Sequence, residues 1–180
     1  MAKFSEKRVI DDIRLLSLDM INKAGSGHPG IALDAAPMMY SLFANQLNFD
    51  LEKKDYPNRD RFVLSAGHGS ALLYATLYAT CDEYTIDELK SFRMLNSVTP
   101  GHPELDINHR IEATTGALGQ GFATAVGMAL AEKHLEGKYN NKKMSFFIRK
   151  QILLLLFTLI ITGLLISYHD NINIINNASL

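Results

Sequence analysis

The stretch "TTGALGQGFATAVGMALAEKHL" holds no charged side chain from Ala113 to Leu130, and three glycines, Gly116, Gly119 and Gly121, stand at its start. A helix that is uncharged all round and rich in small residues is expected to be buried on most sides. The chain must therefore build layers around it. At 180 residues it is long enough for one domain with a real core and too short for two.

The rest of the first 143 residues supplies elements for those layers. Ser5 followed by Val9, Ile10, Ile13, Leu16 and Met20 gives an apolar stripe at helical spacing, stopped by Gly25 and Gly27. Asp34 is positioned to cap a second helix through Met38, Met39, Leu42 and Phe43. "RDRFVLS", Arg59 to Ser65, reads as a charged entry into a short buried strand, and "AGHGS" turns it into the helix "ALLYATLYAT". Thr85 and Glu88 form a capping box for "IDELKSFRML". Helices alternating with short apolar strands predict an α/β fold, a parallel sheet flanked by helices, with ligands held in the loops beyond the strand ends.

Three of the six histidines sit in glycine turns: His28 in "GSGHPG", His68 in "AGHGS" and His102 in "PGHPE". An imidazole in such a turn can donate to a phosphate, ligate a metal or move protons near neutral pH. The spacing is not that of a zinc motif, so convergence on an organic ligand is the expectation. "TTGALGQG" either cradles a phosphate with its main-chain amides or allows tight strand–helix packing. His109 and His134 lack a glycine setting and read as surface residues. Arg93 reads either as a partner for an anionic substrate or as a solvated helix-end residue.

Net charge is -1 and 21% of residues are charged, which argues against a nucleic-acid surface and leaves small molecules or protein as partners. The single cysteine, Cys81, makes neither an internal disulfide nor a zinc site, which fits a reducing compartment. Charges throughout the first twenty residues leave no apolar core for a signal peptide, so the expected location is cytoplasmic. Composition breaks near Lys143. Residues 1–143 hold 18 of the 19 acidic residues and 11 of the 12 glycines. We therefore divide the chain into a first part, 1–143, and a divergent apolar tail, 144–180. Within the tail, Ile152 to Ile166 is an uncharged run that as a helix would span roughly 22 Å, short of a hydrocarbon layer of ~30 Å. It reads as a marginal membrane anchor or as a buried strand and helix.

Taken together, "SGHPG", "DRFVLSAGHGSALLY", "ELKSFRMLNSVTPGHPE" and "EATTGALGQGFATAVGMALAE" resemble the N-terminal, thiamine diphosphate-binding domain of transketolases, in that family's order, from about Glu6 to Tyr139. "SGHPG" with "TPGHPE" separates transketolases from deoxyxylulose-phosphate synthases and pyruvate dehydrogenases. The resemblance implies transfer of a two-carbon ketol unit between sugar phosphates in the pentose phosphate pathway, with thiamine diphosphate and a divalent metal, usually magnesium. It implies that His68 lies beside the cofactor diphosphate and near the reacting carbon, that His102 partners it on the donor hydroxyls, and that His28 contacts substrate. Gly116, Ala117 and Leu118 match the cofactor-contacting loop, with Leu118 supporting the thiamine; Ala117 stands where a proline is common. The family's metal-holding "GDG" is absent from the sequence. "YHDN", Tyr168 to Asn171, echoes its end only faintly. The second domain and its activating glutamate are also missing, so the expected state is a truncated or frameshifted piece, inactive alone. A non-catalytic binding or structural fragment and a subunit of a split transketolase are the alternatives, and a homodimer or a partner subunit supplying the missing domain is the expected assembly.

Overall fold

The computed structural model describes residues 5–48 and 52–140. The tail, with its apolar run and "YHDN", lies outside the described residues. Helix α1 runs Glu6–Ala24: the Ser5 hydroxyl accepts from the Arg8 amide, and Gly25 closes the helix in the left-handed region at φ 64°. Its stripe faces inward, Ile13 and Met20 being buried and Val9, Ile10 and Leu16 packing partly against the core.

Helix α2 runs Pro29–Ser41 and begins earlier than the Asp34 cap predicted, with His28 at the cap position. Pro29 is the reason: its fixed φ suits the first helical residue, where no amide donor is needed. Pro37 lies inside the helix and leaves the Leu33 carbonyl without its usual donor. Arg14 of α1 fills the vacancy, its Nε donating to Leu33 O at 2.9 Å. A π-helical turn, Leu42–Gln46, follows.

A 3-10 turn at Gly67–Gly69 leads into α3, Ser70–Cys81, which is buried from Ser70 through Leu77. Helices α1, α2 and α3 pack on one another and contain most of the core, with Leu72, Tyr74 and Leu77 nearly or wholly inaccessible. Short helix α4, Ile86–Lys90, is opened by the reciprocal capping box of Thr85 and Glu88. Helix α5 runs Gln120–Tyr139.

Two expectations need correction. Among the described residues there is no strand: Arg61–Leu64 is irregular backbone, and the one ladder contact is an isolated bridge between Asp106 and Ile111. The apolar character of the segment is nevertheless used, since Leu64, Ser65 and Ala66 are buried and Phe62 meets Phe43 edge-on at 5.0 Å. A strand requires a neighbour to receive its amides and carbonyls, and the described residues provide none for this one. The described part is accordingly mostly helical rather than a sheet with helices on both faces. The second correction concerns α5, in which only Gly121 and Ala125 are buried. Absence of charge makes a helix able to be buried; neighbours decide whether it is.

Buried ion pairs fix the connections that lead to the histidine turns. Glu112 accepts from Arg59 Nε at 2.7 Å and Nη2 at 2.9 Å, and from Arg61 at 3.0 Å. Glu83, its side chain 2% exposed, pairs with Arg110 and with Lys54. Together they bind the chain before His68 to the chain between His102 and Gly116. Among the described residues no helix is long and apolar enough to cross a membrane.

Candidate functional site

The three glycine-turn histidines come from three different loops. His28 caps α2, His68 lies in the turn that enters α3, and His102 follows the turn after α4. The rings of His28 and His68 meet edge-on with centroids 4.9 Å apart. The His102 ring lies against Gly116, where an added Cβ would sit 3.6 Å from its Cδ2. Both His28 and His102 bear electrostatically on His68. Partial burial and the two neighbouring imidazoles hold His68 below the ordinary histidine value of 6.5. It is therefore neutral at pH 7, with a ring nitrogen free to accept a proton.

Glycine is required here by close approach of backbone to backbone. A Cβ on Gly67 would come within 2.8 Å of the Gly116 amide nitrogen, so the turn before α3 and the loop before α5 touch through their main chains. A Cβ on Gly121 would come within 2.5 Å of Ser65 Cα, and the Ser65 hydroxyl accepts from the Phe122 amide at 3.1 Å. The close packing that "TTGALGQG" allows is thus present, and the loop stands at the start of a helix. Ala117 and Leu118 are exposed on this rim, Leu118 at 66%.

Hydroxyls hold the His102 turn in place. Ser70 Oγ donates to Gly101 O at 2.8 Å and Tyr74 Oη to Pro100 O at 3.0 Å, so α3 reaches out to the turn. Thr115 N donates to Pro103 O at 3.0 Å and links the same turn to the loop of Gly116. Nothing in the sequence announced these contacts; a serine and a tyrosine in a buried helix are the weak signal that could have prompted a search for partners.

Arg93 lies against the turn at Gly101 and donates to Ser26 at 3.2 Å. His109 departs from the surface reading: it stacks on Tyr84 at 4.8 Å, its rings nearly parallel, and its Nδ1 lies 2.6 Å from Asp106. His134 is exposed on α5.

The arrangement can receive an anion with an apolar portion. The starts of α2, α3 and α5 gather at one rim, and helix starts favour negative charge through their free amides and dipoles. Exposed Leu118 adds apolar surface, and three imidazoles add donors and acceptors. A diphosphate joined to an aromatic ring fits this chemistry. A hard divalent cation does not find its oxygen ligands here: among the described residues no group of three or more His, Cys, Asp or Glu is placed to hold a metal. A separate groove of about 430 Å³, lined by Val9, Tyr40, Phe43, Leu47, Thr80 and others, lies at the opposite ends of α1 and α3.

Helix starts and glycine loops gathered around clustered imidazoles define the class as far as the described residues go: a mostly helical domain with a candidate small-molecule site at its rim. Residues 5–158 match the family described as transketolase, thiamine diphosphate binding domain, and the chain belongs to that family. It is 58% identical over 139 residues to a transketolase of Staphylococcus epidermidis, covering 76% of this chain and 21% of that protein. It is 56% identical over 141 residues to a transketolase of Staphylococcus aureus, covering 77% of this chain and 21% of that protein. Among solved structures, transketolase from Leishmania mexicana matches with a TM-score of 0.77 at 41% identity, over 83% of this chain and 22% of that one. A Pichia stipitis transketolase solved in complex with sedoheptulose-7-phosphate matches with a TM-score of 0.75 at 41% identity, over 82% of this chain and 22% of that one. These likenesses support the thiamine diphosphate-binding α/β fold, of which the described residues form a mostly helical part. The chain spans about a fifth of the length of the relatives it matches.

Proposed function

We propose that this chain carries the histidine-lined, thiamine diphosphate-facing part of a transketolase-type transferase, acting between sugar phosphates in the pentose phosphate pathway. The observation that carries the reading is the gathering of His28, His68 and His102 beside Gly116 at one rim. The solved relative that holds sedoheptulose-7-phosphate supports a sugar phosphate as substrate. Bound thiamine diphosphate would supply the carbon centre that carries the two-carbon unit. The chain's own residues then have separate tasks. The amides of Gly116, Ala117 and Leu118 face the diphosphate, and Leu118 supports the thiamine. Neutral His68 accepts or returns a proton near the reacting carbon, His102 orients the donor hydroxyls with it, and His28 contacts substrate.

Magnesium is implied by the family. Among the described residues no group of three or more potential ligands is placed to hold it. In this reading the chain, which holds no "GDG" and matches about a fifth of the relatives' length, is inactive alone and is completed by a partner subunit or by a second copy; its setting is cytoplasmic. The sequence downstream of Lys143 in the coding DNA tests the frameshift: recovery of "GDG" in another frame is the expected result, and an intact partner gene without such a remnant opposes it.

Titration calorimetry with thiamine diphosphate and magnesium tests the site itself. Heat that saturates in the millimolar range or below, and that His68→Ala abolishes, supports the reading. Absence of heat at millimolar cofactor favours the second reading, a non-catalytic binding fragment.

A further inference from the structure

We infer that Arg93 is a positioning residue, a clasp that holds the His28 loop and the His102 turn in register across the site. The inference rests on the reading of those histidines as one cofactor-facing site. Arg93 lies in the turn after α4, nine residues before His102, and from there it reaches the His28 loop as well. One of its terminal nitrogens, Nη1, donates to Ser26 Oγ at 3.2 Å, two residues before His28. Its main-chain amide donates to Thr99 O at 3.0 Å, three residues before His102. Its guanidinium lies along Gly101: a Cβ there would come within 3.0 Å of Nε and 3.2 Å of Cζ. The buried Nε has no hydrogen-bond partner, as expected if it is pressed on a glycine rather than aimed at an acceptor. Cζ also lies 5.5 Å from the Phe92 ring centre, which favours the cation on that side.

The backbone gives a second, independent indication. Arg93 adopts φ 63°, the left-handed region in which a side chain is disfavoured and glycine is not. A residue that serves only to turn the chain would be better as glycine. Arginine at this angle is explained if its side chain must leave the turn toward Ser26 and Gly101, since strain of this kind persists where the surroundings over-determine a conformation. Lysine would not replace it, because a point charge cannot lie flat on Gly101 and reach Ser26 at once.

The test uses the full chain without cofactor and reads the histidine rings by NMR. The parent protein should show through-space coupling between the His28 and His68 rings and a His68 titration midpoint below that of ordinary histidine. In Arg93→Gly the backbone strain is relieved and thermal stability should hold, while the coupling is lost and the His68 midpoint rises. Gly101→Ala should produce the same change from the opposite side by displacing the guanidinium. The double variant should be no worse than either single one, as for two groups acting through one contact. Arg93→Lys should fail to restore the parent spectrum. Unchanged histidine signals in folded Arg93→Gly would overturn the inference. So would unfolding of both Arg93→Gly and Gly101→Ala, which would make the arginine a packing residue. Because no cofactor enters these spectra, calorimetric silence toward thiamine diphosphate counts against the functional reading separately.

Discussion

Helices α3 and α5 have nearly the same signature and opposite fates. Each follows a glycine turn, each is rich in alanine, and each begins with a long uncharged run. Nine of the twelve residues of α3 are buried, against two of the twenty in α5. The difference lies in what surrounds them. Helix α3 is packed by α1 and α2, whereas α5 touches its neighbours near its start, through Gly121 on Ser65 and the Phe122 amide on the Ser65 hydroxyl. From there Phe122, Val126 and Leu130 follow Leu118 at four-residue intervals, all at least 36% exposed. A spacing of four keeps them on one face, so the helix presents an apolar stripe. Stripes of this kind mark surfaces that meet another element or partner. The comparison teaches that the described residues secure the site end of α5 and leave its length exposed.

Substitutions sharpen the contrast. The largest effect is expected in α3: Leu72, fully buried, should cost about 2–5 kcal/mol when changed to alanine, measured by chemical denaturation. Gly121→Ala comes next. It forces a methyl against the Ser65 backbone at the closely packed start of α5, and should cost roughly 1–3 kcal/mol. Farther along, Gly127 has nothing within 4 Å of an added Cβ, so Gly127→Ala should stabilise by about 0.5–1 kcal/mol, seen as a raised Tm. Leu130→Ala on the exposed stripe should stay within about 0.5 kcal/mol. A loss as large as that of Leu72→Ala would show that α5 is covered in solution and would end the contrast. The smallest effect is a slope in pH. The folded-state pKa of His68 lies below its ordinary value of 6.5. Above that value the ring is neutral in both states. As pH falls from it toward the depressed folded value, the unfolded chain takes up the proton first, so stability declines. The decline in Tm across that window should be shallower in His68→Gln.

What could be read from the sequence was local. Ser5, Gly25, Thr85 and Glu88 mark helix ends through contacts a few residues long, and the structure forms them as such. Asp34 misled because Pro29 offers a better start five residues earlier. Arg59 to Ser65 had the apolar content of a strand, but strand pairing depends on a partner distant in sequence, and a single segment does not reveal whether one is present. The absence of charge in α5 was legible and its burial was not, for the same reason. At the site, glycine turns singled out loops that the fold brings close together. The contacts that join those loops, Ser70 to Gly101, Tyr74 to Pro100 and Arg93 to Ser26, span 26 to 67 residues and leave no periodic trace. His109 was misread for the same reason, its partner Tyr84 lying well before it in the chain.

The most direct test is to add thiamine diphosphate to the full chain and map which nuclei respond by NMR. Joint movement of the His28, His68 and His102 ring signals with the Gly116, Ala117 and Leu118 amides, saturating along one binding curve, is the result this account predicts. Responses confined to other residues, or histidines that titrate with the cofactor independently of one another, would contradict it.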